Sequence, residues 1–243
     1  MTKLETIFEN ENIIVVNKPA GWLVIPDRSG QTEFTVKTIV EKQLHQKLFV
    51  VHRLDRDTSG VLCFAKNEES HRHLSLQFQN HQTEKYYQAL ALGRFAQPKG
   101  SIENHLTEHH NQIKMMVTSK GKWAKTDYEV LEQWPLMAHL QLQIFTGRLH
   151  QIRVHLKSIG HPLVGDKLYG DGQPFLLSSV KKKYHLSEKK ESEKPLLDRV
   201  ALHANKLIIK DLNDARIIAE APLPKDMQAV IKQLHRWTPP TLK

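Results

Sequence analysis

The sequence predicts an α+β fold, a mixed and largely antiparallel sheet with flanking helices. Two observations lead there: short apolar runs of strand length outnumber the segments with helical spacing, and the two kinds do not alternate as a doubly wound parallel sheet requires. The first strand runs from Ile13 to Asn17 and closes on the turn-forming Lys18-Pro19-Ala20-Gly21. Val36, Ile39, Val40 and Leu44 then mark the apolar stripe of a helix. Two apolar runs follow, Leu48 to Val51 and Val61 to Phe64; their length and β-branched content, bounded by polar residues and a glycine, predict buried strands. Glu68 to Gln79 predicts a helix with Leu74 and Phe78 inward, and further strands are predicted at Tyr86 to Leu92, Thr126 to Leu131 and Leu140 to Phe145. His150 to Ile159 has helical spacing and ends at Gly160, a natural C-terminal cap, with Pro162 two residues later. Lys225 to Arg236 predicts a last helix that packs back through Met227, Val230, Ile231 and Leu234.

At 243 residues the chain suits one large domain or two small lobes, and it can bury a substantial core. Lys and Arg total 35 against 26 Asp and Glu, a formal charge of +9, so the surface should attract polyanions, nucleic acid first among them. Cys63 is the one cysteine and lies in an apolar run; no disulfide can form within the chain, which fits a reducing compartment. The N-terminus lacks a basic stretch followed by an apolar one, and no eighteen consecutive residues are apolar, so a soluble cytoplasmic protein is expected, with no membrane partner. Between 172 and 198 the composition turns to lysine, glutamate and serine, which reads as a mobile insertion loop. Neither an internal repeat nor a separate RNA-binding module ahead of Ile13 is read, so residues 1–243 are taken as a single catalytic domain.

The most informative stretch is His52-Arg53-Leu54-Asp55-Arg56-Asp57-Thr58-Ser59-Gly60, an acid among arginines where a core strand emerges into a loop. The plain reading is that Asp55 and Asp57 cap a turn for which Thr58, Ser59 and Gly60 supply hydrogen bonds and backbone freedom. Three further blocks change that reading: Lys85-Tyr86-Tyr87; Thr146-Gly147-Arg148-Leu149-His150-Gln151-Ile152-Arg153-Val154-His155; and the opening Val16-Asn17-Lys18-Pro19-Ala20-Gly21. In this order the blocks resemble those of the RNA pseudouridine synthases of the ribosomal large subunit synthase A type, with H-R-L-D-x-x-T-S-G, K-x-Y and G-R-x-H-Q-I-R-x-H. The likeness runs from about Ile13 to Pro224 and includes Arg199-Val200-Ala201-Leu202-His203-Ala204.

The resemblance implies a long bent sheet with a catalytic cleft, and an isomerase that needs neither cofactor nor metal. Asp55 matches the family's catalytic aspartate, Arg148 the arginine that pairs with it, and Tyr87 the tyrosine that packs on the target uracil. Tyr86, on the opposite face of its strand, is assigned to structure. A lone carboxylate in a closed pocket drifts toward its neutral form, so a nearby guanidinium keeps it charged. Arg53, two residues before Asp55 and so on the same side of a strand, is expected to fill the space of the extruded uridine or hold the backbone; His52, Gln151 and Arg153, inside the same blocks, are counted with the substrate-binding residues. Histidines at 105, 109, 110, 150 and 155 raise a metal site, but no H-E-x-x-H pattern accompanies them. An Asp55 and Asp57 pair cleaving a glycosidic bond is the hydrolase alternative, weakened because Asp57 falls where the family pattern is variable. Leu149 and Ile25 depart from the threonine and histidine usual there, which bears on the target site rather than the reaction. The expected partner is ribosomal or transfer RNA, acted on by a monomer; the competing reading is a non-catalytic RNA-binding relative that acts as an RNA chaperone.

Overall fold

The structure, a computed structural model, describes residues 3–27, 34–109, 114–186 and 192–241. The described residues form eleven strands and four α-helices, α+β with mostly antiparallel pairing, and they divide into two compact units. The first unit comprises 1–87 and 203–222, the second 88–202 and 223–243.

In the first unit, β1 (Thr6–Glu9), β2 (Ile13–Lys18) and β4 (Ser59–Ala65) are successive antiparallel neighbours, and β4 continues to β10 (Leu202–Lys210), which carries β11 (Arg216–Glu220). β2 takes one whole edge of β4, so the other is shared: β3 (Phe49–Val50) pairs its end at Phe64 and Ala65, and β10 runs parallel to its start, His203 opposite Ser59. Every residue of β4 is buried, because both faces of the sheet are covered. One face holds Ile14, Val16, Leu62 and Phe64 under α1 (Val36–Leu44), which contributes Val36, Ile39 and Val40. The other holds Ile13, Val15, Val61 and Cys63 against Leu74 of α2 (Glu68–Gln79). Thr35 caps α1 through the Thr38 N–H, and Asn67 caps α2 through the Ser70 N–H, which is why each helix starts where it does.

β5 (Glu84–Leu92) crosses from the first unit into the second between Tyr87 and Gln88. In the second unit β9 (Met137–Ile144), β8 (Lys122–Gln133), β6 (Lys99–Glu108) and β7 (Met115–Val117) form an antiparallel run in that order. α3 (Gln151–Ser158) covers one face of it, with Val154 among Leu106, Ala124 and Met115. α4 (Lys225–Trp237) packs Met227, Val230 and Leu234 on Leu90, Trp134, Val164 and Ala201.

The predicted helices 68–79 and 225–236 and the first strand agree with the structure to within a residue. The run Leu48 to Val51 is less of a strand than expected: only Phe49 and Val50 pair, and they are half-buried. α3 starts at Gln151 rather than His150 because His150 sits at φ +51°, in the left-handed region. Strands β1, β6, β7, β10 and β11 were not predicted. Of β6 only Ile102 and Leu106 are buried, so it has no apolar alternation to read. In the stretch 172–198, Phe175 and Leu197 are buried and exchange main-chain hydrogen bonds, while residues 187–191 at its centre lie outside the described residues.

Candidate active site

Asp55 stands in the eight-residue connection between β3 and β4, and its carbonyl accepts the Thr58 N–H to close a turn. That turn is clasped to the one after β2. Gly21 N–H donates to the Arg56 carbonyl at 2.9 Å, and Arg56 Nε returns a bond to the Gly21 carbonyl at 3.2 Å. The clasp is centred on Lys18, whose side chain is fully buried and whose ammonium donates to the carbonyls of Pro19, Trp22 and Arg56 at 2.9, 2.7 and 2.8 Å. A buried ammonium must be satisfied on all sides, and here it takes carbonyls from both turns, one of them on the residue after Asp55.

On the far side of Asp55 the chain is fixed by strand pairing. Gly60 has φ +116°, and a Cβ there would lie 2.1 Å from the Ala204 carbonyl oxygen, so only glycine permits β4 and β10 to meet. Ser59 Oγ bonds the buried His203 Nδ1 at 2.9 Å, and His203 Nε2 meets the Ala221 carbonyl at 3.2 Å. Thr58, Ser59 and Gly60 therefore hold the loop base, and Asp55 is left half-buried between two anchored ends.

Tyr87, on the face of β5 opposite Tyr86, packs against the α1 side of the core. Burial and then the Asp55 charge push its phenol well above the ordinary range, which keeps the hydroxyl protonated beside the carboxylate. Tyr86 donates to Glu84 Oε2 at 2.8 Å, and Glu84 pairs with Arg216, in line with the structural role expected of it. Lys85 is buried over the Phe78 ring at 6.0 Å, and desolvation lowers its amine to about 8.

In the second unit Arg148 follows β9. Its Nε donates to the Trp123 carbonyl at 3.2 Å, and its N–H donates to Gln151 Oε1 at 3.1 Å. Gln151 is buried and fully engaged: Oε1 also accepts from Thr146 Oγ1 at 2.7 Å, and Nε2 donates to the Lys125 carbonyl and Thr126 Oγ1 at 2.9 and 3.0 Å. His155 Nδ1 meets the same Thr126 hydroxyl at 2.9 Å, and burial lowers the ring to about 4, so it stays neutral. Arg153 forms a fork on the buried Asp166, Nε to Oδ2 at 2.8 Å and Nη2 to Oδ1 at 2.7 Å.

Gln151 and Arg153, counted with the substrate-binding residues in the sequence, have their polar groups engaged inside the protein, where they hold the Arg148 loop and α3. His52 does likewise: its Nε2 accepts the Cys63 N–H at 2.9 Å, its ring stacks on Phe78 at 4.7 Å, and burial, then the Lys85 charge, lower it to about 3. Arg53 is exposed, with no hydrogen bond or ion pair among the described residues; but residues 51–58 are not a strand, so the same-side argument that linked it to Asp55 does not hold. The structure brings Asp55 and Tyr87 together in the first unit and places Arg148, Gln151 and Arg153 in the second. Sequence reasoning missed the roles of Lys18 and His203, although both lie in blocks it had singled out. Among the described residues no three His, Cys, Asp or Glu side chains come together to hold a metal, and no helix is long and apolar enough to cross a membrane.

A family model described as RNA pseudouridylate synthase matches residues 12–158, a span that includes Lys18, Asp55, Tyr87 and Arg148. An uncharacterized RNA pseudouridine synthase of Bacillus subtilis is 35% identical over 234 residues, covering 93% of this chain and 70% of that protein. The ribosomal large subunit pseudouridine synthase D of Nitrosomonas europaea is 35% identical over 240 residues, covering 96% of this chain and 65% of that one, so about a third of its length has no counterpart here. Among solved structures, human RNA pseudouridylate synthase domain containing 4 superposes with a TM-score of 0.73 at 27% identity, covering 96% of this chain and 92% of that one.

Proposed function

The chain belongs to the RNA pseudouridylate synthase family, and from that premise we propose that it isomerises uridine to pseudouridine within RNA, with Asp55 as the catalytic carboxylate. The reaction breaks the C1′–N1 bond, turns the uracil in place and joins C1′ to C5; C5 gives up its proton, N1 gains one, and no electrons are exchanged with a cofactor. Asp55 serves either by attacking C1′ or by removing a sugar proton as the base departs. The observation that carries this reading is the half-buried Asp55 on a loop anchored at both ends and set beside the protonated Tyr87, whose ring suits the face of a uracil. Arg148 supplies the counter-charge, an assignment that rests on the resemblance.

The uridine leaves its stack to be reached, at a cost of a few kcal/mol, and the exposed Arg53 is the candidate to take its place. Ribosomal large-subunit RNA is the proposed substrate. The sequence blocks resemble the synthase A type, whereas the Nitrosomonas relative carries the name synthase D, which favours the latter's class of target. The enzyme is proposed to act in the cytoplasm, a reading supported by its single, buried cysteine, and as a monomer, a reading that rests on the resemblance.

Incubation with unmodified ribosomal and transfer RNA tritiated at uracil C5 tests the proposal. Wild type should release tritium to water from ribosomal RNA; Asp55→Asn should release none while its RNA affinity stays within a few fold. An Asp55→Asn protein as active as wild type overturns the assignment of Asp55, and wild type that binds RNA without releasing tritium from either substrate leaves only binding.

A further inference from the structure

In the second unit the segment after Phe175 meets the last turn of α4. Phe175 and Leu197 exchange main-chain hydrogen bonds, and a single 3-10 turn, Leu177–Ser179, leads to Val180, which packs against the core that holds Val230 and Leu234 of α4. Lys181 comes next. Its N–H donates to the Leu177 carbonyl at 2.9 Å, and its ammonium lies 5.3 Å from the Trp237 ring centroid and 6.0 Å from that of Tyr184. The Arg236 guanidinium lies 5.0 Å from the same indole. Trp237 is fixed in turn by a hydrogen bond from its Nε1 to Gln233 Oε1 at 3.0 Å, one helical turn back, and it is 37% exposed.

These two cations are held by rings rather than by acids, and that decides what they can bind. Lys99, Lys125, Lys167 and Lys206 each pair with a carboxylate, which cancels their charge. A cation over a π-face is oriented without being neutralised. Among the described residues Lys181 and Arg236 form no ion pair, and the acids on α4 or touching these segments are engaged: Asp226 by Arg199, Glu132 by His235, and Glu193 by the Ser178 N–H. The exposed Lys182 and Lys183 follow Lys181, and the exposed Lys232 stands one turn before Arg236 on the same face of α4. Like charges at that spacing work against the helix, and a polyanion laid across them removes the cost.

Resting on the reading of the chain as an RNA uridine isomerase, we propose that Lys181 and Arg236, oriented by Trp237, form a phosphate-binding site for the backbone of the substrate RNA, carried wholly by the second unit. The cations already occupy the indole, so the site takes backbone rather than a base and reads no sequence. Such contacts hold substrate and transition state alike, and their loss therefore falls on KM.

The double variant Lys181→Gln with Arg236→Gln removes both contacts. On ribosomal RNA tritiated at uracil C5, in about 0.15 M salt, it should raise KM about twentyfold with kcat within about twofold. In an Asp55→Asn background the log-log salt slope of RNA binding should become shallower by about 1.4–1.8, and Arg236→Gln alone should give about half that change. The control, Lys99→Gln with Lys206→Gln, removes the same charge from lysines paired with Glu129 and Glu220 and should leave the slope as in wild type. If wild type turns over and the two doubles change the slope equally, or neither changes it, the phosphate site is overturned while the isomerase stands. A Lys181 and Arg236 double that keeps the wild-type RNA slope but no longer binds vesicles of phosphatidylserine and phosphatidylcholine would give the patch to a lipid surface and also overturn it. Wild type that neither releases tritium nor binds RNA overturns both readings.

Discussion

Replacing Lys18 with methionine isolates what holds the Asp55 loop in place. The side chain keeps its length and apolar stem, but three carbonyls, on Pro19, Trp22 and Arg56, lose a donor at 2.7–2.9 Å. Each buried acceptor left unsatisfied costs about 1–3 kcal/mol, which applies to Pro19 and Trp22 because the Arg56 carbonyl keeps the Gly21 N–H, and a hydrogen bond to a charged group is worth about 1.5–3 kcal/mol net. Against this stands the cost of burying an ammonium, several kcal/mol, which the variant no longer bears. The expected net loss is therefore about 3–5 kcal/mol, well below the sum of the three bonds and yet a large part of the roughly 5–15 kcal/mol that stabilises an ordinary domain. Equilibrium unfolding in urea, followed by circular dichroism, measures it. The kinetic effect is separable. Because the carbonyl of Arg56, left with its bond from the Gly21 N–H alone, is on the residue after Asp55, the folded variant, assayed at low temperature, should lose about a hundredfold in kcat with KM for RNA within a few fold. A loss under about 1 kcal/mol with unchanged kcat would refute the idea that Lys18 presets the catalytic loop.

Two glycines offer an internal control, because both have positive φ and only one is crowded. Gly60→Ala sets a Cβ 2.1 Å from the Ala204 oxygen and should abolish the soluble folded protein, whereas Gly160→Ala, φ +86° with nothing within 4 Å, should cost only about 1–3 kcal/mol and leave activity intact; expression yield and melting temperature decide between them. Acid should destabilise the fold in two windows. His52, His139 and His155, lowered to about 3, 4 and 4, chiefly by burial, bind protons in the unfolded chain from about pH 6.5 downward but not in the folded one. Their contribution is full above pH 6.5 and shrinks by up to about 1.4 kcal/mol per pH unit for each histidine as pH falls toward 4, and His155→Gln should flatten that slope. Burial alone would raise Asp166, but the two bonds from Arg153 and the Leu168 and Tyr169 N–H groups outweigh it and leave the carboxyl lowered. Its contribution is full above about pH 4 and lost below, so Asp166→Asn should be less stable at neutral pH and lose its acid sensitivity in the lower window; unfolding curves from pH 3 to 8 test both.

The elements that sequence made legible are those whose burial follows a period. α2 and α4 show an apolar face every three to four residues, and β2 and β4 are continuous apolar runs bounded by turns. β6 and β7 were missed because one of their faces carries polar and mixed side chains, so no period marks them. β10 was hidden because Leu202 to Ala204 was read as a motif rather than as a strand.

Within the blocks, residue type did not reveal role. Arg148 and Arg153 are equally plausible RNA ligands by charge and spacing. What separates them is a residue thirteen positions further along the chain: the buried Asp166 takes Arg153's guanidinium in a fork, while the nearest acceptor of Arg148 is a main-chain carbonyl that answers only its Nε. A charged group bound by a buried opposite charge would have to surrender that pair to meet a phosphate, and breaking such a pair costs about 3–5 kcal/mol, more than one phosphate contact returns in water. His52 and Gln151, both neutral, likewise have their polar groups engaged inside the protein by hydrogen bonds. The blocks are thus recognisable for two physical reasons at once. Asp55, Tyr87 and Arg148 carry groups suited to chemistry and contact, whereas Lys18, His52, Gly60, Gln151 and Arg153 carry the partners and the bare backbone without which those groups would not be held.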